Sequence, residues 1–251
     1  MNPRMQRLLF YASLVLAWFA LAKLKIWPPY LFPAPSEVLV TLRQGFDDHS
    51  FAISILKSMK RIGVGYVFSA GVGIALGLFT ARVRWLENTL GSLVVGLQTL
   101  PSICWLPAAI LWFGLSEGAI LFVVVMGALM AISIGTHDAV KNLPPIYVRA
   151  ARTMGVRGFR LYREVIFPAA LPGIVSGLKQ GWSFSWRSLM AGELLFVSPG
   201  LGHLLQMGRD LNDITLVAAV MIVIMALGWS VDRLIFSALE QRLRRQRGIA
   251  L

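Results

Sequence analysis

The chain has 251 residues, of which 57% are hydrophobic and 14% charged, with a formal net charge of +12. A soluble domain carries about 25% charged residues, so this composition excludes an ordinary soluble enzyme and points to a membrane protein. Lys and Arg gather at the ends of apolar runs and form no aromatic-interleaved basic groove, which excludes nucleic acid as a partner.

Arg4 and Arg7 precede an apolar stretch from Leu8 to Ala22. No small-x-small site follows it, so the stretch reads as a retained first span rather than a cleaved signal peptide. Within 35–61, Val38, Leu39, Leu42 and Phe46 recur at helical spacing, with Ser36 placed as an N-cap. This predicts an amphipathic helix lying on the outer surface. Spans are predicted at 8–25, 62–81, 88–113, 117–137, 168–192 and 214–235, each near the roughly 20 residues a bilayer requires. Gly71, Gly73 and Gly77 predict a close helix contact in the second span. Pro101 and Pro107 predict a kink or re-entrant bend in the third. The expected fold class is an all-α integral membrane protein with six transmembrane helices. Residues 1–61 form an N-terminal span and surface helix, and residues 62–251 form the core.

Orientation follows the cations. With both termini cytoplasmic, fifteen Lys and Arg lie inside: Arg4, Arg7, Arg82, Arg84, six in the 138–167 loop and five from Arg233 to Arg247. Seven lie outside: Lys23, Lys25, Arg43, Lys57, Lys60, Arg61 and Arg209. Lys57, Lys60 and Arg61 sit awkwardly at the outer membrane edge.

Little catalytic chemistry is available. The single cysteine, Cys104, forms no intramolecular disulfide and reads as a buried thiol in an apolar run. His49 and His203 fall in predicted loops and His137 at a helix end, so no metal-ligand spacing arises. No glycine loop ending in Lys-Ser or Lys-Thr cradles a phosphate, and no nucleophile elbow is present. The expectation is no catalytic residue, no metal and no cofactor bound by this chain.

The 138–167 loop is the largest on the inner side. Pro144-Pro145 stops the fourth span. Two short helices are predicted, Ile146 to Met154 stopped by Gly155, and Val156 to Ile166 ended by Pro168. Ala150 and Ala151 offer a small-residue surface that another protein can approach closely. On residues alone, a docking site and a loop that only fixes topology stand level.

In the fifth span, Gly173, Gly177, Gly181 and Ser185 recur every four residues and predict a helix-packing ridge. Lys179 lies about 160–200° from that ridge. A charge inside a membrane marks a functional candidate. Lys179, Ser183, Trp186 and Met190 are therefore expected to line a translocation pathway for an anion, against the alternative that Lys179 pairs with a carboxylate for structural reasons. Arg187 and Glu193 read as interface anchors near the outer end of this span. Gln98, Thr99, Ser133 and Thr136 are weaker pore candidates.

Arg149-Ala150-Ala151, Gly155 and Val165-Ile166-Phe167-Pro168 resemble the cytoplasmic signature of ABC-importer permeases: Glu-Ala-Ala, three residues, Gly, nine residues, Ile-x-Leu-Pro. Arg149 stands where the family has Glu, a reversal of charge. The stretches LQTLPSICWLPAAILWFGL at 97–115, GWSFSWRSLMAGELL at 181–195, SPGLGHLL at 198–205 and PAPSEV at 33–38 are similar to the nitrate, sulfonate, taurine and bicarbonate branch of that family, with sulfonate permeases favoured. The resemblance implies a five-helix permease core plus an N-terminal helix in the bacterial inner membrane. It also implies coupling helices at about 145–167, with Arg149, Ala150, Ala151, Gly155, Val156 and Pro168 seating on an ATPase. Two ATP-binding subunits carrying ATP and Mg, a second permease copy in a homodimer, and an external substrate-binding protein are the implied partners. A secondary transporter or channel would instead show paired intramembrane carboxylates or an inverted repeat. An intramembrane enzyme would need a nucleophile–base or metal constellation. Neither pattern is evident.

Overall fold

A computed structural model describes residues 3–246 except 25, 29 and 197. Lys25 and Arg247, two of the cations in the orientation count, lie outside the described residues. The helices are, in order, α1 (Pro3–Lys23), α2 (Pro35–Asp47), α3 (Ser50–Arg82), α4 (Arg84–Leu86), α5 (Ser92–Gln98), α6 (Leu106–Phe113), α7 (Glu117–Lys141), α8 (Pro145–Thr153), α9 (Gly158–Leu161), α10 (Phe167–Leu195), α11 (Leu201–Asp210), α12 (Ile214–Val231) and α13 (Ser237–Gln246). Single π turns join α4 to α5 (Glu87–Gly91), α9 to α10 (Tyr162–Ile166) and α12 to α13 (Asp232–Phe236). No strand occurs among the described residues.

Four stretches are long and apolar enough to cross a bilayer: Met5–Lys23, Ser50–Arg82, Glu117–Lys141 and Ile214–Leu243. A fifth arises if Arg84–Gln98 and Ser102–Phe113 count as one span; these two arms bend by 103°. The bend falls at residues 99–101, where Pro101 has no N–H to continue the ladder. Pro107, by contrast, sits in the first turn of α6 and is accommodated there. The expected fifth span, 168–192, is a continuous helix, α10, 29 residues long but less apolar than the others.

The chain divides into two compact units, Met1–Ser58 with Glu193–Ala226, and Met59–Gly192 with Leu227–Leu251. In the first, α1 exposes apolar side chains along its whole length, as a lipid-facing helix does. The predicted surface helix is shorter than expected, and Ser36 is not its cap. Ala34 occupies that position, Pro35 opens the helix, and the Glu37 carboxylate accepts the Ala34 N–H at 2.9 Å. An aspartate turn follows, in which Asp48 accepts the Ser50 N–H at 2.8 Å and His49 takes φ +63°. Residues 50–61 therefore belong to α3, because that turn starts a helix that runs unbroken to Arg82. His203, placed in a loop by sequence, lies in α11.

In the second unit α7 is the most buried of the apolar helices. Glycines admit it closely on two sides. A Cβ on Gly73 would stand 3.0 Å from the Ile132 side chain, and one on Gly77 would stand 2.5 Å from the Ser133 carbonyl. The contact predicted for the second span thus falls on α7, while Gly71 faces open space. Arg61 is buried and paired with Glu117 at the start of α7, with Nε to Oε2 at 2.6 Å. This pairing accommodates a charge that sequence left stranded at the membrane edge. Cys104, expected to be buried, is exposed beside the bend.

Candidate functional site

The 145–167 segment is built by prolines and glycines. Pro145 opens α8, and Gly155, at φ +83°, closes it. The Val156 N–H donates to the Ala151 carbonyl and the Gly155 N–H to the Arg152 carbonyl, both at 3.0 Å. This double bond is a Schellman stop, and it requires the left-handed conformation glycine adopts without strain. Nothing lies within 4 Å of a Cβ placed on Gly155, so backbone conformation alone selects glycine there.

The two alanines face opposite ways. Ala151 is buried with Leu161 and Ile166 in a small core that Val148, Val156 and Val165 complete. Ala150 is exposed, together with Arg149, Ile146, Tyr147 and Met154. The exposed surface of the segment is therefore Ala150 with large apolar and basic neighbours, and Ala151 holds the segment together from inside. Pro168 does not end the second helix. The π turn Tyr162–Ile166 carries the chain without a break into α10, which begins at Phe167 and contains Pro168.

The ridge on α10 packs against α7 along its whole length. Gly173 faces Ala139, Gly177 faces Gly135, Gly181 faces Ile132, Ser188 faces Gly127 and Gly192 faces Ile120. The two helices are antiparallel, and this ladder fixes the depth of every residue on α10. Lys179 lies near the level of Gly135. Arg187, next to Ser188, lies level with Gly127, close to the midpoint of α7.

Lys179 is compensated. Its Nζ lies 3.2 Å from Asp232 and 3.9 Å from Glu240. Beside it Trp182 is buried, edge-on to Tyr66 at 5.3 Å and stacked on Trp186 at 6.1 Å. Trp186 and Met190 are half-buried, whereas Ser183 is exposed.

Arg187 differs from Lys179. It lines a cavity of about 360 Å³ with Gln98, Thr99, Ser102, Trp105 and Met130. Its guanidinium lies 5.4 Å from the Phe184 ring centroid, and among the described residues no carboxylate pairs with it. The sequence reading set Arg187 at the outer end, because nothing in one chain shows which residues of α10 lie opposite which of α7. Glu193 was also read as an interface anchor, yet it is 0% exposed. Its carboxylate accepts the Ser58 hydroxyl at 2.8 Å and the Gly202 N–H at 2.9 Å, while Ser58 accepts the Leu201 N–H at 2.9 Å. Glu193 thereby caps the start of α11.

Apolar helices of spanning length, flanking a glycine-stopped basic segment, are the architecture of a polytopic membrane protein. Residues 73–245 match the family of binding-protein-dependent transport system inner membrane components, and the chain belongs to that family. A putative ABC transporter permease protein of Methanocaldococcus jannaschii is 31% identical over 227 residues, covering 88% of this chain and 85% of its own. The taurine transport system permease protein TauC of Escherichia coli is 29% identical over 226 residues, covering 86% and 81%. The nitrate import permease protein NrtB of a Synechocystis species is 29% identical over 212 residues, covering 81% and 77%. The MetNI methionine ABC transporter in an inward-facing conformation shares the fold, with a TM-score of 0.67 at 20% identity over 77% of this chain and 95% of that one. The chain is thus an inner-membrane permease component of an ABC importer. It is not itself the catalyst; ATP hydrolysis belongs to a separate subunit.

Proposed function

We propose that this chain translocates a small oxyanion, with aliphatic sulfonates and taurine as the favoured class, by alternating access. Two copies face each other, and each seats its 145–167 segment on one of two ATP-binding subunits that carry ATP and Mg. An external binding protein delivers the substrate. Six crossings leave both termini in the cytoplasm. Arg149, Ala150 and Gly155 belong to the docking segment, with Ala151, Val156 and Pro168 bracing it. The pathway follows α10 on the arc that includes Ser183, with Lys179, Trp186 and Met190 on its flank.

The observation that carries this reading is the construction of 145–167. It is a short helix stopped by a left-handed glycine, braced by its own core, and exposing Ala150, Tyr147 and Met154. A loop that only fixed topology would need no such bracing. The taurine and nitrate permeases among its relatives support a small oxyanion as cargo. The test is uptake of labelled taurine and nitrate into vesicles containing this chain, its ATP-binding partner and its binding protein. ATP-dependent uptake of either anion is expected. Uptake that proceeds equally without ATP would overturn the importer reading in favour of a secondary transporter or channel.

A further inference from the structure

The exposed face of α10 is polar. Ser176, Gln180, Ser183 and Arg187 are all exposed, and their spacing of four, three and four places them within an arc of about 60°. The opposite face carries the glycine ridge buried on α7. Because α7 is an apolar span and α10 runs beside its full length, this polar stripe lies at membrane depth. Hydrocarbon does not solvate such groups, so the stripe faces water.

One end of the stripe is the mid-span cation. Arg187 opens onto the cavity that Gln98, Thr99 and Ser102 share at the 103° break between the two arms. The break frees backbone groups from the helical ladder, and the three side chains add an amide and two hydroxyls. Lys179, two turns along, already has two carboxylates, whereas among the described residues Arg187 has an aromatic ring and no carboxylate. A guanidinium that opens onto this cavity with no carboxylate partner among the described residues attracts anions, and its planar fork matches the oxygens of a sulfonate or nitrate.

We infer that Arg187, with Gln98, Thr99 and Ser102, forms the anion-selecting constriction of the pathway, and that Ser176, Gln180 and Ser183 line the water-filled route leading to it. The inference rests on the importer reading for its cargo and deepens it by naming an oxyanion-selective residue. Weak attraction is sufficient, because a site that held the anion tightly would block its exit.

The test uses the full chain co-expressed with its ATP-binding partner in membrane vesicles. Cys104→Ser removes the only cysteine, and Ser183→Cys then places one thiol on the stripe. Its modification rate is measured with an anionic and with a cationic methanethiosulfonate, the first bearing a sulfonate. Both reagents are expected to react, and Arg187→Gln is expected to lower the anionic-over-cationic rate ratio about tenfold, the scale of charge focusing in a cleft. Arg187→Lys is expected to keep most of it. A cationic rate that holds or rises in Arg187→Gln reports that the thiol is still accessible and the variant folded. Should Arg187→Gln fail to insert, protection of the thiol by ethanesulfonate with Arg187 in place decides, and no protection overturns the inference. A thiol inert to both reagents, or a ratio indifferent to Arg187→Gln, also overturns it. None of these rates requires ATP, so this failure is separate from a failure of ATP-dependent uptake.

Discussion

Gly135 and Gly177 meet backbone to backbone, and a Cβ on Gly177 would stand 3.0 Å from the Gly135 Cα. No flexible side chain is available there to yield, so the helices themselves would have to separate. Gly177→Ala is expected to lower stability by about 1–3 kcal/mol, the range for overpacking. Gly71→Ala, whose Cβ meets open space, is expected to be neutral or to gain a few tenths of a kcal/mol from helix propensity. Thermal unfolding in detergent, compared between the two variants, checks the contrast; equal midpoints would contradict the packing.

The stop at Gly155 gives a different signature. Because a side chain has room there, only the positive φ resists substitution. Gly155→Ala is expected to cost about 1–2 kcal/mol locally, while Gly155→Asn, which tolerates the left-handed region, is expected to lose less. The readout is ATP-dependent taurine uptake at matched expression, with the order Gly, Asn, Ala. Alanine and asparagine behaving alike would remove the backbone argument.

Glu193 and Ser58 form a buried acceptor pair at the start of α11. Glu193→Ala leaves the Ser58 hydroxyl and the Gly202 N–H without that acceptor, an expected loss of about 1–3 kcal/mol. Glu193→Gln keeps one carbonyl oxygen and is expected to lose less. Protease sensitivity of the chain between α10 and α11 reports the difference, and an alanine variant as resistant as the parent would count against the cap.

For Lys179 the expectation is modest. The Lys179 and Asp232 side chains are 34% and 38% exposed, so their pairing contributes at most about 1 kcal/mol. Lys179→Met is expected to leave the anionic-over-cationic rate ratio at Ser183→Cys unchanged, and the double variant with Asp232→Asn to be no less stable than the single. A fall in that ratio comparable with the effect of Arg187→Gln would move the selecting charge to Lys179.

Much of this architecture was legible because prolines, glycines and apolar runs act locally. Pro101 marked a break, Gly155 a stop, and the four-residue glycine repeat a packing ridge. What escaped depends on distance across the fold. Ser36 looked like a cap, yet a proline at the first turn and the reach of Glu37 set the cap two residues earlier, at Ala34. Pro168 looked like an ending, yet the chain passes through it into α10 by way of the π turn Tyr162–Ile166. Arg61 found Glu117, 56 residues away, and no local pattern announces such a pair. The depth of Arg187 is set by α7 in the same way, although the polar repeat at 176, 180, 183 and 187 is visible in the sequence.

A π turn is a helix that has taken in one surplus residue, and the turn at Tyr162–Ile166 stands between the α8–α9 segment and α10. One residue corresponds to about 100° of helical rotation. Deleting a single amino acid there would leave an unbroken α-helix, but would swing everything N-terminal to it around the α10 axis by more than a quarter circle. The compass bearing of α8 and its exposed Ala150 about that axis is therefore written in the number of residues at that junction, whatever side chains they carry.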